Sequence, residues 1–455
     1  SLRPPRGMRD VLPPTTSTLR CVESTVRAMC ARFGFREWSL PLVESSSLFE
    51  RSLGEASDVV SKEMYTFNDR SGDSLTLRPE GTAGLVRAVL NAGEDVAPRR
   101  PCRAFYCGPM FRYERPQRGR YRQFTQVGAE LLGPSCAAAD VEAIAMGSEL
   151  LRDLGVAPAA CALHLNTLGD AATRSAYGGA LLAYFSARRD ELSPHSRERV
   201  EGALSREDGR GDAVLRILDS KHALDRAVAA DAPAVDAHLT DTARARFEAV
   251  ENSLRELNIA YVRDAALVRG LDYYSHTVWE FVDARDQAVV AGGRYDDLAR
   301  GMLGDDAVGA VGWALGLERL HDLALAAESD GAAALQRRAA PPRAVLVVPL
   351  GDGDALHALA SRVALRLRRG GGPPPPDVDS SADRSVQQFF DGGGSVKKQL
   401  QRATRVEGAA VLVLIGEDEL ASGVVTLKNL ATREQSSVAL DGSALEDAVE
   451  AILRA

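Results

Sequence analysis

The chain has 455 residues, 45% of them hydrophobic, and a formal net charge of −8 from 55 basic and 63 acidic side chains. That length predicts roughly two to four domains with full-sized cores, and the acidic balance excludes a generally basic nucleic-acid coat while leaving local basic patches open. The six cysteines include no Cys-x-x-Cys spacing, which argues against disulfides and a structural zinc and for a reducing, cytoplasmic setting. No apolar run approaches the roughly 18 residues of a membrane span, and no G-x-x-x-x-G-K-[ST] string marks a P-loop.

Residues 1–15 hold four prolines and read as an extended basic arm. Leu19, Val22, Val26, Met29 and Cys30 then recur at helical spacing, with Ser17 as the expected N-cap and Gly34 as the stop. Residues 35–43 read as a strand carrying Pro41, which predicts an edge or an interface. A short strand at 75–77 meets a Pro79-Glu80-Gly81 turn and a helix, with Thr82 at the N-cap and Glu80 near the helix N-terminus.

Two apolar runs, Phe105–Tyr113 and Phe124–Leu132, predict antiparallel strands joined by a turn through Pro116 and Gly119. That connection, about eight residues, exceeds an ordinary hairpin loop. It carries Arg112, Arg115, Arg118, Arg120 and Arg122 against Glu114 alone. A planar guanidinium suits phosphate oxygens, although charge by itself equally fits a solvated hairpin.

A helix at 138–155, a strand at 161–168 and a charge-rich helical stretch at about 171–262 follow. Gly270 interrupts the next segment before a strand over Tyr273–Phe281, and residues 290–296 read as a strand end with a Gly-Gly turn. Residues 307–320 predict a small-residue strand and a helix, with Gly309, Gly312 and Gly316 allowing a nucleotide to lie close to the backbone. Residues 326–342 read as a linker, a short Ala-rich helix followed by Pro341-Pro342. Beyond it, strands at 344–350 and 411–415, a helix at 354–369 and a last strand at 426–429 predict a separate α/β domain. Lys397 and Lys398 open a run, 397–405, of four basic residues with no acid. Residues 369–394 form a Pro- and Gly-rich insertion in which no strand is recognisable.

The order of residue types carries a resemblance. Phe111-Arg112-Tyr113-Glu114, a basic loop and then Phe124 resemble motif 2 of class II aminoacyl-tRNA synthetases. Arg78-Pro79-Glu80-Gly81-Thr82, the LDYYSHTVWEF string from Leu271 and Gly292-Gly293-Arg294-Tyr295 look like segments of the histidyl-tRNA synthetases. The segment around Pro41 resembles motif 1, and Gly316-Leu317-Glu318-Arg319 resembles motif 3. The resemblance implies an α+β fold. A catalytic domain over 1–325 would be built on an antiparallel sheet with a helical insertion, and an anticodon-binding domain would span 343–455; composition alone shows only mixed α and β.

The family also implies site roles. Arg112 and Arg269 would meet the α-phosphate of ATP and Arg319 the γ-phosphate, with Glu114 and Phe124 also at the nucleotide. Glu80, Gly81, Thr82, Gln126, Glu130, Tyr273 and Tyr274 would hold histidine, together with Arg112 and Arg269. Arg118, Arg120, Lys397 and Lys398 would meet tRNA. ATP would arrive with Mg²⁺, no metal site of the protein's own is expected, and the partners implied are L-histidine, ATP, tRNA(His) and a second copy in a homodimer.

Overall fold

The structure, a computed structural model, describes residues 2–54, 57, 59–92, 101–117, 119–205, 212–268, 273–304, 308–327, 330–369, 384–390 and 395–454. The chain divides into two compact units, Ser1–Leu335 and Gln336–Ala455.

The first unit carries strands β1 (Arg36–Glu37), β2 (Val43–Ser45), β3 (Tyr65–Asn68), β4 (Ser74–Leu77), β5 (Cys102–Phe111) and β6 (Gln123–Gly133). After these come β7 (Cys161–Thr167), β8 (Val262–Arg263), β9 (Ser275–Asp283), β10 (Ala288–Arg294) and β11 (Gly309–Gly316). Eight of them form one sheet in the order β1-β5-β6-β11-β10-β9-β7-β8. Its interior pairings are antiparallel and only the two edge pairings, β1 with β5 and β7 with β8, are parallel. Strands β2, β4 and β3 make a small antiparallel side sheet.

Period-two alternation gives the large sheet two different faces. Val127, Ala129 and Leu131 of β6 join Phe105, Val311, Trp313 and Leu315 in a core that also holds apolar residues of the helices Thr15–Arg32, Ala137–Asp153, Asp241–Glu256 and Leu317–Ala326. Gln126 and Glu130, at the alternate positions of β6, face the other way. That face is lined by Tyr106, Met110, Tyr273, Tyr274 and Tyr295, which belong to a second core.

Several local expectations are corrected. The strand expected over 35–43 is broken into β1 and β2, because Pro41 offers no ladder donor and the pieces pair with different strands. The first helix starts at Thr15, not after Ser17, and Thr82 is the first helical residue behind an N-cap at Gly81. Gly292 and Gly293 do not turn; they lie inside β10 against β9 and β11. A Cβ on Gly293 would come within 2.6 Å of the Tyr274 ring, so glycine here serves close packing. Within 326–342, by contrast, the expected short Ala-rich helix is present as Asp330–Arg338, with Ala332 and Leu335 buried.

In the second unit, β12 (Arg343–Pro349), β13 (Arg384–Gln388), β14 (Ala409–Ile415), β15 (Val424–Asn429) and β16 (Gln435–Ala439) form a sheet in the order β13-β12-β14-β15-β16. A strand therefore does lie inside the Pro- and Gly-rich insertion, at β13, paired in parallel with β12. The last strand is β16 rather than 426–429. The helices Asp354–Arg369 and Ala444–Arg454 pack on one face of this sheet, and the helix Val396–Ala403 contributes Ala403 and Leu400 to the other.

Candidate active site

The floor of the site is the polar face of β6. Glu130 is fully buried and both its carboxylate oxygens accept hydrogen bonds, Oε1 from the Thr82 hydroxyl and Oε2 from the Tyr295 hydroxyl, each at 2.6 Å. Burial pushes its pKa up to about 8, against the pull of the two hydroxyl donors, with nearby Glu80 adding to the rise. Gly312 lies directly opposite Glu130 on β11, where any Cβ would collide with the carboxylate. Gln126, four residues earlier on the same face, accepts from the Tyr106 hydroxyl at 3.3 Å. The Tyr106 ring is fully buried and fills the space that side chains at Gly81 and Gly128 would need.

Glu80 is buried and caps its own helix, its carboxylate accepting from the backbone N–H of Thr82 at 2.5 Å and of Ala83 at 3.0 Å. Burial raises its pKa against those donors and against the Arg112 charge. Tyr273 and Tyr274 are buried with ring centroids 4.6 Å apart, and Tyr273 meets the Tyr295 ring edge-on at 5.7 Å. The fold thus brings Glu80, Thr82, Gln126, Glu130, Tyr273 and Tyr274 into one cluster with Tyr106 and Tyr295.

A basic lip adjoins this cluster. Arg112, just past β5, donates from Nε to the Pro79 carbonyl at 2.8 Å, and its guanidinium lies 5.4 Å from the centroid of the half-buried Phe124 ring. Glu114 sits 3.9 Å from Arg112 and 3.3 Å from Arg120. Arg319, in the first turn of its helix, donates to the Gly119 and Ala288 carbonyls at 2.9 Å each. Burial lowers the Arg319 pKa, and the charges of Arg120 and Arg112 lower it further. Three guanidinium groups therefore converge where Glu114 is the nearest acid, a field suited to a polyphosphate. The carboxylate of neighbouring Glu318 accepts from the Thr125 N–H at 2.9 and 3.1 Å.

Arg118 and Arg269 lie outside the described residues. Lys397 and Lys398 are exposed on the helix Val396–Ala403 of the second unit. Of the glycines expected to admit a nucleotide, Gly309 abuts the Pro134 backbone and Gly312 makes room for Glu130; only Gly316 faces open space. Among the described residues no three His, Cys, Asp or Glu side chains gather as metal ligands.

Tyr106, Tyr295 and the buried Arg294 escaped the sequence. Arg294 donates to Asp140 at 2.8 Å and to Asp296 at 2.9 Å, and Asp296 in turn accepts from the Ala310 N–H at 2.7 Å, which fixes the backbone on either side of Tyr295. The only signal was position: Arg294 and Tyr295 sit in the Gly-Gly-Arg-Tyr string, and Tyr106 inside an apolar run.

Comparison with known proteins agrees with this geometry. The profile of histidyl-tRNA synthetase matches residues 7–320, and that of the anticodon binding domain matches residues 344–451. A histidine–tRNA ligase from Gluconacetobacter diazotrophicus is 45% identical over 97% of both chains, and one from Rhodospirillum rubrum is likewise 45% identical over 97% of both. The apo histidyl-tRNA synthetase of S. aureus superposes with a TM-score of 0.74 at 28% identity, covering 100% of both chains. With its family profile matched across the whole catalytic sheet and its relatives matched end to end, this chain belongs to the histidyl-tRNA synthetase family.

Proposed function

We propose that the chain is a histidine–tRNA ligase that activates L-histidine with ATP and passes the histidyl group to the 3′ end of tRNA(His). In the first step a carboxylate oxygen of histidine attacks the α-phosphorus, the bond to the β-phosphate oxygen breaks, and pyrophosphate leaves. In the second, a hydroxyl of the terminal adenosine attacks the histidyl carbonyl carbon and AMP leaves. Such a displacement asks for positioning and charge neutralisation more than for covalent help. ATP enters as its Mg²⁺ complex.

Glu130 supports this reading most directly. It is a buried acceptor already fixed by two hydroxyls, beside packed tyrosines and next to the guanidinium lip. An imidazole ring offers it an N–H, and few other amino-acid side chains combine that donor with a flat apolar body. Arg112 would steady the α-phosphate, joined by Arg269, while Arg319 takes the γ-phosphate and Phe124 the adenine, with Glu114 beside them. Glu80, Gly81 and Thr82 would hold the amino group and Gln126 the backbone end. The test is ATP–pyrophosphate exchange with a panel of amino acids. Histidine alone should sustain exchange; exchange driven by another amino acid and not by histidine would overturn the assignment.

The chain would act as a homodimer in the cytoplasm. Leu42 and Val43, beside Pro41, and Phe67 on the same side sheet are exposed, which supports a covering partner there. None of the six cysteines forms a disulfide, which supports a reducing setting. Sedimentation of a fully active monomer at micromolar concentration would refute the dimer.

A further inference from the structure

We propose that the N-terminal arm, residues 2–14, is a second RNA-binding strap that grips the phosphodiester backbone of the tRNA acceptor end beside the Arg112–Arg122 loop. It rests on the reading above that the chain acylates a tRNA.

The arm is basic, and the charge of Arg3 and Arg6 is uncommitted. Arg3, Arg6 and Arg9 are all exposed, and Asp10 is the arm's one acid. Among the described residues neither Arg3 nor Arg6 has a hydrogen-bond or ion-pair partner. The arm is nevertheless fixed in place. The Arg122 N–H donates to the Gly7 carbonyl at 2.8 Å. Gly7 has φ +86°, and a Cβ there would lie 2.7 Å from the Arg122 Cγ and 2.9 Å from the Pro116 Cγ, so the two segments touch backbone to side chain. Further along, the Arg9 guanidinium covers the Tyr121 ring at 4.0 Å, and the Thr16 hydroxyl donates to the Val11 carbonyl at 2.9 Å. Four prolines stiffen the arm around these anchors.

This anchoring sets the arm's arginines against those of the loop. Arg6 precedes Gly7, and Arg115 precedes the Pro116 that Gly7 packs on. Arg115 too is exposed and without a partner among the described residues. Arg122 is turned inward instead, its guanidinium 3.7 Å from the centroid of the Tyr113 ring. Two stretches some hundred residues apart thus place Arg3, Arg6, Arg9 and Arg115 along one edge of the site, in a chain whose net charge is −8. Held like charges repel, and among the described residues only Arg9 of the four feels a nearby acid, Glu318, so the arrangement fits an anionic ligand. The guanidinium fork matches phosphate oxygens, and the row, being extended and exposed, fits a phosphate backbone rather than the triphosphate reached by the half-buried Arg112 and Arg319.

The test compares the full-length chain with its Arg3→Glu/Arg6→Glu and Arg3→Lys/Arg6→Lys variants. Histidine-dependent ATP–pyrophosphate exchange should stay within about twofold for both, since neither residue reaches the nucleotide. In aminoacylation the Glu variant should raise the KM for a tRNA(His) transcript by at least about tenfold. Its log–log salt slope should also be shallower by nearly two, at about 0.9 for each phosphate no longer neutralised. The Lys variant should recover most of the affinity. Unchanged tRNA KM and salt slope in the Glu variant would overturn the proposal, as would a change from dimer to monomer on sedimentation, which would place the arm against a second copy. A wild-type chain that charges no tRNA would overturn the underlying function instead, so the two failures are distinct.

Discussion

Glu130 is pulled in two directions, and under the proposed role at the imidazole ring the balance sets how histidine binds. Burial favours the neutral acid and moves its pKa to about 8, while the Thr82 and Tyr295 hydroxyls donate to the charged form. An imidazole N–H adds a third donor, which the ionised carboxylate accepts and the protonated one does so poorly. Histidine binding should therefore release a proton. Its KM should fall as pH rises from about 6.5 through 8 while the KM for ATP stays nearly flat; a histidine KM independent of pH across that window would refute the coupling. The sign for stability is the reverse. A folded-state pKa above the usual 4.5 means the folded chain binds more protons than the unfolded one between 4.5 and about 8. The unliganded protein should thus melt at lower temperature as pH rises across that range, and saturating histidine should offset the loss. Arg112 is the residue proposed at the α-phosphate. Arg112→Ala should lower exchange by about 10²–10³-fold, roughly 2.7–4 kcal/mol of lost charge stabilisation, with the circular dichroism spectrum unchanged. At this scale the alternation of β6 was legible, since spacing alone puts Gln126 and Glu130 on one face. Tyr106 and Tyr295 were not, because what they touch depends on which strands pair and in what register.

Register is a property of the elements, and β11 shows how much it decides. Pairing Gly312 with Glu130 leaves the carboxylate room that any side chain would take. Four residues on, Gly316 pairs with Gln126 and has nothing near its Cβ position. The two glycines look alike in the sequence and should behave differently. Gly312→Ala must displace a buried carboxylate, so stability should drop by about 1–3 kcal/mol and the histidine KM should rise at least as much as in Glu130→Ala. Gly316→Ala should leave stability nearly intact and act, if the strand end approaches ATP, on the ATP KM. Equal effects of the two on thermal melting and on both KM values would contradict this division. The same dependence on pairing explains what was misread. Pro41 suggested only that 35–43 lies at an edge or an interface; that the stretch splits into β1 and β2 with different partners could not be read locally. The β13 strand was hidden because five residues of ordinary composition sit beside a Pro- and Gly-rich run, and only its parallel ladder with β12 identifies it.

At the scale of the molecule, the activation chemistry and the second basic run fall in different compact units. Every described residue assigned to histidine or ATP lies in Ser1–Leu335, whereas Lys397 and Lys398 lie in Gln336–Ala455. That second unit has its own cores on both faces of its five-stranded sheet, so substitutions on its surface need not disturb the first. The helix Val396–Ala403 turns Gln399 and Ala403 inward and leaves both lysines exposed. Changing Lys397 and Lys398 to Glu reverses two charges and leaves the packing of the core intact. If this surface meets the anticodon arm, the variant should keep histidine-dependent ATP–pyrophosphate exchange within about twofold while binding tRNA more weakly. Its salt slope should be shallower by nearly two, since two phosphates would no longer be neutralised, at about 0.9 each. Because the exchange reaction needs no tRNA, the two measurements separate a binding defect from a folding defect: a misfolded variant loses both. Aminoacylation at limiting tRNA that is indistinguishable from wild type would show the lysines to be a solvated face, and the RNA-binding surface of this unit would then have to be sought at another edge of its sheet.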